Sequence, residues 1–73
     1  MTKFDATIKD EGDFLTFYLE SDKAKEVLQN QSDKVRQAFV PCANMLKWSG
    51  IHPDRRSTLK NFCKSNGLTY SNI

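Results

Sequence analysis

Residues 4–19 read FDATIKDEGDFLTFYL, and this stretch constrains the fold more than any other. Phe4, Ala6 and Ile8 alternate with polar residues, DEGD offers a turn at Gly12, and aromatic and threonine-containing sequence follows. Alternation at period two on both sides of a glycine turn predicts a β-hairpin over about residues 3–20. In its second strand Leu15, Phe17 and Leu19 share one face, while Phe14, Thr16 and Tyr18 share the other. A lone two-stranded hairpin is marginal in water, so the rest of the chain or a second copy must cover it.

The remaining sequence supplies helices for that purpose. Ser21 or Asp22 can cap a helix over 22–30, in which Ala24, Val27 and Leu28 fall together at helical spacing. Ser32 or Asp33 can cap a second over 33–48, with an apolar stripe of Val35, Ala38, Phe39, Cys42, Met45 and Leu46. Pro41 interrupts that stripe, since it lacks a backbone donor and disfavours helical geometry at Val40. Pro53 and Asp54 suit the first turn of a last helix over 53–66, which Gly67 ends and Leu68 packs back upon. The tail TYSNI is expected to be loosely held. The fold class is therefore α+β: one small domain over 1–73, an N-terminal hairpin followed by three or four short helices.

A chain of 73 residues buries only about 60% of its unfolded surface, so stability is marginal and a homodimer would be in keeping with its size. No stretch approaches the roughly 20 apolar residues of a membrane span, and MTKFDATIKDEGD lacks the basic start and apolar run of a leader. The expectation is a soluble, cytoplasmic protein without a membrane partner. Cys42 and Cys63 are too few for a disulfide framework and are expected reduced and buried, although sequence alone leaves a bridge between them open.

Charge is distributed unevenly. Residues 1–33 carry four lysines against eight carboxylates, whereas 34–73 carry seven basic residues against Asp54 alone. On the last helix Arg56, Lys60 and Lys64 recur every four residues, and Arg55 and Arg56 sit in the first turn. Like charges at that spacing cost about 0.2–0.5 kcal/mol per pair, and cations in a first turn oppose the helix dipole. Solvent can screen such a stripe; phosphate would satisfy it. Lys47, Trp48 and Tyr70 add a further cation and aromatics for stacking, with Trp48 more simply a packing residue. Residues 41–66 also follow the outline of a helix-turn-helix, with SGIH as the corner, Arg55, Arg56 and Ser57 towards bases, and Lys60 and Lys64 on phosphates.

Catalytic chemistry has little to build on. Cys42, His52 and Cys63 are the only soft metal ligands and lack paired spacing, so neither zinc nor a cysteine–histidine nucleophile is indicated. The carboxylates of DEGD lie in an exposed turn, where nothing would raise one pKa for acid catalysis. No phosphate loop or dinucleotide fingerprint is present, so no cofactor is expected. The sequence points to a non-enzymatic, regulatory binding module. Its leading partner is DNA or RNA, held by Arg55, Arg56, Lys60 and Lys64 with Lys47 secondary. The alternative is a protein-interaction module or inhibitor that docks on a larger, acidic protein through the hairpin or the basic helix.

Overall fold

The hairpin forms where the alternation places it. In the computed structural model, which describes residues 4–73, β1 (Ala6–Asp10) and β2 (Leu15–Leu19) pair antiparallel, Ile8 opposite Phe17. Lys3, assigned to the hairpin from sequence, lies outside the described residues. Ala6, Ile8, Leu15, Phe17 and Leu19 are buried on one face. They receive α1 (Asp22–Gln29), which begins with the Ser21 hydroxyl accepting from the Ala24 amide at 3.0 Å and buries Ala24 and Leu28.

The long helix expected over 33–48 does not form, and neither does the helix-turn-helix outline built on it. Ser32 caps only a short α2 (Asp33–Gln37), and the chain then makes a second hairpin, β3 (Val40–Cys42) and β4 (Met45–Ile51). Two features decide this. The proline ring forces Val40 towards extended geometry, and its missing donor is tolerated because β3 is an edge strand. From Met45 onward the apolar residues also obey period two: Leu46 and Trp48 align with Leu19 and Phe17 on the core side, and Met45 and Lys47 face away. Val35, Ala38 and Phe39 pack on the core as the stripe required, but Cys42 and Met45 lie on the opposite side of the sheet.

The turn of this second hairpin is Ala43 and Asn44, and Ala43 has φ 54°, a conformation that favours glycine. Ala43→Gly is therefore expected to raise stability by up to about 1 kcal/mol, read as a higher urea midpoint with an unchanged slope.

The tail is also a strand. After a 3-10 turn (Pro53–Arg55) and α3 (Arg56–Ser65), the chain reverses at Gly67, φ 67°. The Leu68 amide donates to the Cys63 carbonyl at 2.8 Å and the Gly67 amide to that of Lys64 at 3.3 Å, a Schellman closure that buries Leu68. Residues beyond it form β5 (Tyr70–Asn72), parallel to β1 with Ala6 opposite Tyr70. Asp5 clasps the junction: its carboxylate accepts from the Thr69 amide at 2.9 Å and hydroxyl at 3.2 Å. The Ser21 hydroxyl above all, and the Thr69 amide next, hold the Asp5 carboxyl below its ordinary pKa. The clasp thus adds stability above about pH 4 that is lost as the pH falls through the lowered value.

The result is a five-stranded sheet in the order β3-β4-β2-β1-β5 with α1, α2 and α3 on one face, two layers rather than a hairpin with a helical remainder. The opposite face carries the row Val40, Lys47, Tyr18, Thr7 and Ser71, one residue from each strand. The α+β class and the single compact unit hold; the number of strands does not.

Candidate functional site

The basic helix α3 is fixed by its inner face. Leu59 and Cys63 are buried, and the Phe62 ring meets Phe17 edge-on with centroids 6.0 Å apart. His52 Nδ1 accepts from the Asp54 amide at 3.1 Å and Pro53 opens the 3-10 turn, so His52 acts as a turn cap. Arg56 falls one turn before Leu59 and Lys60 and is drawn inward with them. Its Nη2 donates to Asp10 Oδ2 at 2.5 Å, and its Nε is buried with no hydrogen-bond partner. The Gly12 amide first and the Arg56 guanidinium second hold the Asp10 carboxyl below its ordinary pKa. Arg56 therefore ties α3 to the end of β1 and is neutralised there.

Arg55 and Lys64 are exposed and Lys60 is half-buried, and no carboxylate among the described residues lies within ion-pair distance of any of the three. Lys60 and Lys64 stand about 6 Å apart along the helix axis. Lys47 is separated from them by the sheet, since it pairs with Tyr18 and Val40 on the face away from α3. Trp48 is on the helix side, its ring 5.7 Å from that of Phe39, and Tyr70 is on β5. Of the five cations singled out in the sequence, the structure places Arg56, Lys60 and Lys64 on α3 and Arg55 in the 3-10 turn that leads into it, leaves Arg55, Lys60 and Lys64 without an ion-pair partner among the described residues, and sets Lys47 on the other face.

Sequence reading missed what lies beside them. Between α2, β4 and α3 runs a cleft of about 180 Å³ whose lining is almost wholly apolar. Phe17, Phe39 and Leu59, all buried, form its floor; Val35, Trp48 and Phe62 are its half-exposed walls; Gln31 and exposed Thr58 stand at its rim. Arg55 precedes Thr58 by one helical turn, on the same side of α3. The signal for this cleft was present in the aromatic residues, but their convergence depends on β4 being a strand.

The cysteines take no part in it. Cys42 faces away from the helices and Cys63 lies under α3, so the sheet separates two free thiols and a bridge between them is ruled out. Cys42 is half-buried rather than buried. Burial, and secondarily the charge of Asp5, push the Cys63 thiol up to about 11. That cuts its thiolate fraction about a hundredfold, so iodoacetamide at pH 8 is expected to label Cys42 promptly and Cys63 only after unfolding, as read by peptide mass spectrometry.

Among the described residues no three His, Cys, Asp or Glu side chains are grouped to hold a metal ion, and no helix is long and apolar enough to cross a membrane. The chain matches no protein-family model, no curated protein and no solved structure.

Proposed function

We propose that this protein is a non-enzymatic binding module that holds an acidic segment of a protein partner against α2 and α3. The observation that carries this reading is Arg55, exposed and without an ion-pair partner among the described residues, one turn before Thr58 at the rim of an apolar cleft, with Lys60 and Lys64 adding positive charge farther round α3. Exposed ion pairs contribute only about 0–1 kcal/mol each, so the cations alone would select a partner by charge without holding it firmly. A neighbouring apolar surface supplies the missing affinity.

Nucleic acid is the second reading, favoured by the line of cations along α3, which a phosphate backbone can follow. Three phosphate contacts give a salt slope of only about −2.7, where duplex binders commonly make about 6–10 contacts. With Arg56 neutralised, Lys47 on the other face and the helix-turn-helix corner replaced by strands, this reading ranks below the first.

Fluorescence anisotropy with a labelled Asp/Glu-rich peptide, a DNA duplex and a single-stranded RNA, across roughly 50 to 200 mM salt, separates the two. The peptide is expected to bind, and the triple variant Arg55→Glu, Lys60→Glu, Lys64→Glu to bind it at least about tenfold more weakly while keeping its circular dichroism. Binding of duplex or RNA in preference to the peptide, lost in the same variant, would replace the protein reading with the nucleic-acid one.

A further inference from the structure

The cleft is too small and too apolar for most ligands. Binding sites for small molecules usually span roughly 300–1,000 Å³, well above the 180 Å³ of this cleft. A dry cavity of about 150 Å³ accommodates a benzene ring, so this one fits an aromatic ring with its methylene or a branched aliphatic side chain. A nucleobase would fill a similar volume, but its polar edge would face Val35, Phe39, Trp48 and Phe62 and lose its hydrogen bonds. Only Gln31 and Thr58, at the rim, offer polar atoms, and these suit the backbone of a chain passing over the opening.

Charge selects which chain that is. The elements that wall the cleft on its helical side carry Lys34 and Arg36 against Asp33, and, with Arg56 neutralised by Asp10, Arg55, Lys60 and Lys64 against Asp54, a net of +3. By contrast α1 carries Asp22 and Glu26 against Lys23 and Lys25 and is neutral. The helical side that walls the cleft thus bears net positive charge, with Arg55 nearest the opening, and the interior is apolar.

We infer that the cleft seats one large apolar side chain of an acidic peptide segment, an anchor residue flanked by aspartates or glutamates, with Phe17, Phe39 and Leu59 beneath it and Arg55 over the flanking carboxylates. This rests on the protein-binding reading and adds the residue that gives it affinity. Anchors of this kind carry most of the energy of a small interface, because a desolvated pocket rewards one buried side chain more than many rim contacts do.

The test uses two labelled Asp/Glu-rich peptides that differ only in a central Phe or Ala, titrated against the full chain and against Thr58→Trp, which plugs the cleft from its exposed rim, with Thr58→Ala as the open control. The Phe peptide is expected to bind at least about tenfold more tightly than the Ala peptide to the native chain and to Thr58→Ala, with the preference lost in Thr58→Trp. Equal binding of both peptides, weakened by the Arg55, Lys60 and Lys64 reversal, would overturn the anchor and leave the acidic-partner reading standing. A Phe preference that survives in folded Thr58→Trp would also overturn it. No binding of either peptide would remove both.

Discussion

Replacing Phe17 by alanine is expected to cost about 3–5 kcal/mol, a large share of the stability of so short a chain. Phe17 is 1% exposed at the middle of the central strand, opposite Ile8 and Trp48, with the rings of Phe39 and Phe62 at 5.9 and 6.0 Å. It is where the two hairpins and α3 meet, so its removal opens a hole that no single element can collapse to fill. A domain of this length has roughly 4–11 kcal/mol in total, so the loss consumes much or all of it. Phe17→Leu keeps most of the volume and is expected to cost about 1.5 kcal/mol or less. Urea melts followed by circular dichroism measure both; a drop below about 1 kcal/mol for the alanine variant would mean that this ring is not the keystone of the core.

Ending the chain at Leu68 is expected to be nearly as damaging, at roughly 3–5 kcal/mol. Besides the β1–β5 ladder itself, the missing residues make three further backbone bonds to β1 and its approach: the Ala6 amide to the Thr69 carbonyl at 3.0 Å, the Ile73 amide to the Ile8 carbonyl at 2.9 Å and the Asp10 amide to the Ile73 carbonyl at 2.7 Å. At about 0.5–1.5 kcal/mol net each, these add to the partly buried Tyr70 ring and the Asp5 clasp. The truncation also turns β1 into an open edge, so self-association in size-exclusion chromatography should accompany the fall in stability. A truncated chain that melts like the full one would mean that β5 is dispensable, as a loosely held tail would be.

The first hairpin, α1 and the last helix were legible because each carries a local signal that the tertiary structure reinforces: alternation around Gly12, the Ser21 cap, and Pro53 with Gly67 framing α3. The segment after α2 was not, for a physical reason. Val35, Ala38, Phe39, Cys42, Met45 and Leu46 satisfy a helical period, yet Leu46 and Trp48 satisfy period two, and only the sheet edge offered by β2 decides between them. Ala43 and Asn44 made the choice harder still, since a tight turn with positive φ normally announces itself with glycine. Tyr70–Asn72 form a strand only because β1 has an unfilled side, information that three residues cannot hold.

The candidate site divides in the same way. Arg56, Lys60 and Lys64 could be placed together from their four-residue spacing on one helix. The capture of Arg56 by Asp10, the separation of Lys47 and the cleft all depend on where β1, β2 and β4 lie relative to α3. Each joins residues far apart in the chain, so no local pattern contains them.

The most direct measurement is a nitrogen–proton correlation spectrum of the labelled full chain during titration with the Asp/Glu-rich Phe peptide. Binding at the α2–α3 side predicts that the perturbed amides cluster at Gln31, Val35, Arg55, Thr58, Lys60 and Phe62, with the Trp48 indole among the most shifted signals. Perturbations confined to the opposite face, around Tyr18, Lys47 and Val40, would place the working surface on the open sheet and contradict a binding role for the cleft and the basic helix.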